Sequence, residues 1–294
     1  MKRISTLIAI VLAAALILPW TSQARAQRAI TYVSHSGSDN NTCDALSPCQ
    51  TFNGALGSNK TADGGTIMCL DVGEFGSAII TRSMTIDCRA GGGGFNGFLF
   101  TINAPGAAVR LLNVAVSVFN NNLPAIDIFA ARTVYLENVL VAQSGLGHPG
   151  IVDRRAGPAV LVIKNSSIVN NTGPGIVIAP ASGLIAADLE NVTSAYNTYG
   201  IAVGNGGRVT IKNSFFTNNS VAGIEGDGGS FIEISASKMA FNEKGILTSG
   251  STALSLSQIV SNTTAISGAT QSTGNNLIFG NSSDGTTPTI ISSR

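Results

Sequence analysis

"VTIKNSFFTNN", residues 209–219, repeats a phrase written earlier in the chain as "LVIKNSSIVNN", residues 161–171. Each is followed by a small residue and isoleucine, Gly223-Ile224 after the one and Gly175-Ile176 after the other. The same pair recurs as Ala125-Ile126, Gly150-Ile151, Gly200-Ile201, Gly245-Ile246 and Ala265-Ile266, which makes seven pairs in near-regular succession. An interval held at about 20–25 residues over seven units marks a solenoid, in which no unit buries its apolar face alone and each stacks on its neighbours.

The segments ahead of the pairs decide which solenoid. "VYLEN" (134–138), "LVIKN" (161–165), "ADLEN" (187–191) and "VTIKN" (209–213) alternate with period two, as half-buried strands do. No ten-residue amphipathic run lies between repeats, which excludes leucine-rich and helical repeats. Several short strands per turn, each pairing with its copy above and below, give an all-β parallel β-helix.

Aligning these segments on their asparagines sets a register. Val134 and Leu136, Leu161 and Ile163, Ala187 and Leu189, Val209 and Ile211 then point inward as stacked aliphatic columns. The outward column beside them reads Glu137, Lys164, Glu190, Lys212, each charge between opposite ones, where like charges would repel. A neutralised ladder of this kind favours a structural role over a charged ligand strip.

Asn113, Asn138, Asn165, Asn191 and Asn213 end the strands, and Asn170, Asn171, Asn197, Asn218, Asn219, Asn242 and Asn262 follow them. Asparagine tolerates the left-handed backbone of a sharp corner, and its amide can satisfy buried turn groups or bond to its own copy in the next coil. A row of corner asparagines is thus first a matter of shape, with sugar binding the sharper alternative.

Residues 1–26 carry Lys2 and Arg3, an apolar run from Ile4 to Leu18, and Ala24-Arg25-Ala26 ahead of Gln27. That is the layout of a secretory signal peptide, and the apolar run is short for a spanning helix. A mature chain from Gln27 has 14 basic against 16 acidic residues. It therefore lacks the basic excess that nucleic acid or an anionic membrane requires. A secreted or periplasmic location is expected, with no membrane attachment after cleavage and an oligomeric state that the sequence does not disclose.

The four cysteines lie between positions 43 and 88, an even count that suits disulfides in an exported protein. Of three connectivities, Cys43–Cys49 closes the loop "CDALSPC". Cys69–Cys88 joins "TIMCL" to "TIDCR", strand-like segments that stacking would bring to disulfide distance. Residues 27–63 form an N-terminal cap with this loop and a short helix from near Thr51. Residues 64–270 form the coils, and 271–294 a last, looser coil and tail, all within one domain.

"YVSHSGSD" (32–39), "SPCQTFNGAL" (47–56) and "GGTIMCLDVGEFG" (64–76), followed by coils of the form N…N…GI, resemble the pectin lyase-like superfamily of right-handed parallel β-helices, and in particular its exported bacterial β-helix repeat proteins. The resemblance covers nearly the whole mature chain and implies the right-handed fold. It implies a polysaccharide or cell-surface glycan as partner, and it leaves activity open, since lyases, hydrolases, tailspikes and adhesins share the fold. Pectate lyase-like members hold calcium with clustered carboxylates, and no strand here gathers three acids. The Asn-Thr-Asp, Asp-Asp, Gly-His-Gly and Arg-Ile-Lys stretches of polygalacturonase-like members are absent, "GHPG" (147–150) being a faint echo.

Two constellations remain as candidate catalytic groups. Glu225 and Asp227 in "GIEGDGG" (223–229) lie two apart on an extended segment, about 7 Å, a separation that suits an inverting glycosidase. His148, Asp153, Arg154 and Arg155 in "GHPGIVDRR" (147–155) combine acid–base and anion-binding side chains. Tyr135, Tyr196 and Tyr199 are candidates for stacking on sugars. No phosphate loop, zinc spacing or nucleophile elbow occurs, so neither cofactor nor metal is expected. The expectation is a β-helix that binds polysaccharide or serves a surface role without catalysis, the alternative being a lyase or glycosidase acting on an acidic glycan.

Overall fold

The computed structural model describes residues 27–89, 98–118, 123–142, 144 and 146–292. The expected signal peptide, residues 1–26, lies outside the described residues. The chain is a right-handed parallel β-solenoid of about nine turns with almost no helix. Among the described residues the strands form three sheets of 12, 10 and 8 members. One coil shows the path. Ile176–Ile178 lies in the ten-stranded sheet, Ile185–Glu190 in the twelve-stranded and Thr193–Ala195 in the eight-stranded, before Tyr199–Val203 begins the next coil. Among the described residues no helix is long and apolar enough to cross a membrane.

Period-two alternation produces the stacking. Ile126, Ile151, Ile176, Ile201, Ile224, Ile246 and Ile266 pair each with the next in parallel register and form one fully buried interior file. Burying an isoleucine side chain contributes about 1.5–3 kcal/mol. The aliphatic columns of the twelve-stranded sheet also align as expected, Leu161 between Val134 and Ala187, Ile163 between Leu136 and Leu189.

Outside, Lys164 is the register partner of both Glu137 and Glu190, and Glu190 that of Lys212. The ladder closes into an ion pair at one rung, where Lys164 Nζ donates to Glu190 Oε2 at 2.7 Å. That bond raises the lysine's pKa and lowers the carboxylate's. Glu137 instead accepts the phenolic hydrogen of Tyr135 at 3.0 Å.

The asparagines divide between corners. Asn113, Asn138, Asn165, Asn191 and Asn213 turn the chain from the twelve-stranded into the eight-stranded sheet, all at φ between 50 and 56°. The next corner carries two files side by side. Asn171, Asn197, Asn219, Asn242, Asn262 and Asn281 point inward, the backbone N–H of each of the first five donating to the next residue's Oδ1. For Asn171, Asn219, Asn242 and Asn262 the side-chain amide donates to that same oxygen, at 2.9–3.1 Å.

This buried ladder explains the glycine before isoleucine at positions 150, 175, 200, 223 and 245. A Cβ on Gly150 would lie 3.0 Å from Asn171 Nδ2 and 2.9 Å from the Gly175 carbonyl, and Gly223 meets Asn242 and Gly245 in the same way. Ala125 is tolerated in this column one coil earlier, where the ladder position of the following coil is held by the smaller Ser144, whose N–H donates to Asn171 Oδ1.

At the N-terminal end, Arg28–Val33 pairs in parallel with Thr61–Cys69 and extends the twelve-stranded sheet. Both disulfides form as expected, Cys43–Cys49 and Cys69–Cys88, with Cα atoms 4.6 and 4.5 Å apart. A helical turn, Phe52–Leu56, starts behind Thr51, whose hydroxyl accepts from the Gly54 N–H. Asp39 in turn accepts from the Gln50 and Thr51 N–H groups. Phe52 packs edge-on to Phe75, with ring centroids 5.4 Å apart. At the other end, Gln271–Ser272, Leu277–Phe279, Ser283–Gly285 and Thr289–Ile290 continue all three sheets.

Candidate functional site

Glu225 lies on the outer face of the ten-stranded sheet between Ala202 and Leu247, and Asp227 just beyond the end of its strand, Ala222–Gly226. Asp227 has left the pleat for the turn, and its carboxyl hydrogen-bonds that of Glu225. Burial between apolar neighbours, followed by this hydrogen bond and the charge of Asp227, pushes the Glu225 pKa up to about 7. A carboxyl raised to about 7 can hold and release a proton near neutrality.

His148, Asp153, Arg154 and Arg155 do not form one site. Asp153 ends the strand Ile151–Asp153 with its side chain inside, 0% exposed, against Arg155 at 1%. Arg155 Nε and Nη2 donate to the two Asp153 oxygens at 2.8 and 2.6 Å, and its guanidinium also bonds the carbonyls of Ala131 and Val160 at 3.0 Å. A neutralised, bonded pair inside the solenoid is closed to a substrate.

Arg154 points outward and is held by Asp127 in a second bidentate pair at 2.9 and 2.7 Å, with its guanidinium 4.7 Å from the Phe129 ring centre. Burial nevertheless keeps the Asp127 carboxyl above its usual pKa. Half-buried His148 lies in the preceding turn, its carbonyl accepting from Ser144 Oγ at 2.6 Å. Among the described residues no group of three or more His, Cys, Asp or Glu could hold a metal ion.

The tyrosines part company as well. Tyr135 is engaged on both sides, by Glu137 and by the Arg110 guanidinium 4.8 Å from its ring centre. Tyr199 is half-buried at the start of a strand. Tyr196 stands out at a corner, 60% exposed. It belongs to the outer of the two files at that corner, which runs Asn170, Tyr196, Asn218, Phe241, Ser261 and Gly280, all left-handed, with φ 55–57° up to Ser261 and 70° at Gly280. Phe241, also 60% exposed, is not among the residues that the sequence marks out. The signal lies in the alignment, since it precedes Asn242 as Tyr196 precedes Asn197.

A bulky aromatic residue in left-handed backbone is a steric outlier, and outliers of this kind cluster at functional sites. Here two of them flank an open cleft of about 710 Å³ whose lining includes Asn218, Ser220, Glu243 and Ser261. A second cleft of about 600 Å³, lined by Arg208, Ser230, Ser251 and Gln271 among others, offers hydroxyls and one guanidinium but no aromatic ring.

Stacked coils, an interior isoleucine file and an inward asparagine ladder define a right-handed parallel β-helix. The family model described as "Right handed beta helix region" matches residues 151–289. Among solved structures the chain is similar to that titled "Crystal structure of pectate lyase Pel9A", with a TM-score of 0.59 and 12% identity over 88% of this chain and 79% of that one. At that identity the likeness is one of fold. No curated protein sequence matches the chain.

Proposed function

We propose that this protein is an exported β-helix that binds polysaccharide along its outer flank, without catalysis. The observation that carries this reading is the corner cleft, where Tyr196 and Phe241 hold exposed rings in strained backbone, with amide and hydroxyl groups between them. Aromatic faces beside hydrogen-bonding groups match the two surfaces of a pyranose, its apolar C–H face and its hydroxyl rim. The disulfides at the N-terminal end suit an oxidising, extracytoplasmic compartment.

A second reading is a lyase or hydrolase acting on an acidic glycan, favoured by the raised pKa of Glu225 beside Asp227. A glycan array combined with assays for unsaturated uronate and for new reducing ends separates the two. Binding without turnover is expected. Turnover that disappears in Glu225→Gln would establish the enzyme and overturn the binding reading.

A further inference from the structure

We infer that the ligand of the corner cleft is a neutral, extended, equatorially linked pyranose chain, such as a β-1,4-linked glycan, lying parallel to the solenoid axis. This rests on the polysaccharide-binding reading above and names its substrate class.

The outer file advances one residue per coil, because the strands that precede it keep register as Val169, Ala195, Thr217, Ala240, Val260 and Phe279. Tyr196 and Phe241 are therefore two coils apart with Asn218 midway, and stacked strands place them about 10 Å from each other. An equatorially linked pyranose chain advances by roughly one coil spacing per sugar and turns over at each linkage, so that alternate sugars present the same apolar face. The file has that rhythm: Asn170, Tyr196, Asn218, Phe241, Ser261 alternate polar and aromatic groups. Two sugars stack on the rings, and the one between them meets the Asn218 amide.

The charge of the cleft selects against polyuronates. Glu243 is the charged side chain among its lining residues, and its carboxylate lies 3.6 Å from Lys244 Nζ. No arginine or lysine lines the cleft to receive a row of carboxylates. The backbone points the same way. Asparagine, serine and glycine occupy the other positions of the file, so the corner forms without an aromatic residue, and a bulky ring is a costlier occupant of left-handed backbone than asparagine or glycine.

The test uses the purified protein and its Tyr196→Asn/Phe241→Asn variant, titrated calorimetrically with cellohexaose, xylohexaose, mannohexaose and a galacturonate hexamer. At least one neutral hexamer is expected to bind, its disaccharide at least 10-fold more weakly, since a dimer cannot span both rings. The variant is expected to lose at least 10-fold in affinity while its Tm stays level or rises, because asparagine accepts the left-handed corner. Binding of the galacturonate hexamer alone, lost in the variant, would overturn the neutral class and leave polysaccharide binding standing. Neutral binding undiminished in the variant would overturn the site. Failure of all four hexamers would overturn both readings, and a variant that changes only the sedimentation mass would make the corner a self-association surface.

Discussion

The Oδ1 atom of Asn242 accepts twice from Asn219, from its backbone N–H at 2.9 Å and from its side-chain amide at 3.0 Å. The Asn242 amide then donates to the Phe216 carbonyl and to Asn262 Oδ1, both at 3.0 Å. One buried side chain thereby ties three coils together. Replacing it with alanine strands the donors of Asn219 and the acceptors above and below. Asn242→Ala is expected to cost about 3 kcal/mol or more in urea unfolding, against about 1 kcal/mol for the exposed Asn213→Ala, which loses only its left-handed tolerance.

Gly175 is expected to resist even alanine. The added Cβ would lie 2.7 Å from Asn197 Nδ2 and 2.8 Å from the Gly200 carbonyl, and closer still to Ser194 Oγ. Neither the ladder nor the next coil's backbone can give way without breaking its own bonds. Gly175→Ala should lower stability by about 1–3 kcal/mol, whereas Gly228→Ala, with open space around its Cβ, should leave the Tm almost unchanged.

Removing one member of the Asp153–Arg155 pair leaves a charge in the core with no opposite charge beside it. Arg155→Met should cost about 3–5 kcal/mol, and Asp153→Leu a similar amount. The double replacement is expected to cost clearly less than the sum of the two. Additive losses in a double-mutant cycle would show that the two side chains act independently.

The stability of the fold should carry a pH signature from Glu225. Its pKa rises from an ordinary 4.5 to about 7 on folding. The stabilisation associated with its protonated form is complete below 4.5 and is lost as pH climbs to 7. Discounted for partial solvent screening, Glu225→Gln should gain about 1–2 kcal/mol over the native chain at pH 8 and nothing at pH 4. Equal urea midpoints at pH 8 would contradict this.

The solenoid was legible in the sequence because its code is local and repeated. Ile151, Ile176 and Ile201 recur at an equal interval and become one interior file, and Glu137, Lys164, Glu190 and Lys212 fall into adjacent rungs for the same reason. Cys69 and Cys88 follow from that register. The site was less legible because its features break the repeat. Asp153 looks like a corner residue beside two arginines, and its burial depends on Arg155 being held in turn by the carbonyls of Ala131 and Val160. Phe241 is one of 12 phenylalanines in the chain, and it becomes distinctive only when its backbone is seen to be left-handed. Glu225 and Asp227 read as neighbours on one pleat, whereas the strand ends between them at Gly226.

Both covalent links lie at positions 43 to 88, and every later coil is held to its neighbours by hydrogen bonds and packing. The molecule is like a zip sewn shut at one end. Under load or in denaturant, coils should peel away from the carboxy-terminal side first, and those nearest the sewn seam should be the last to open and the first to guide the rest back.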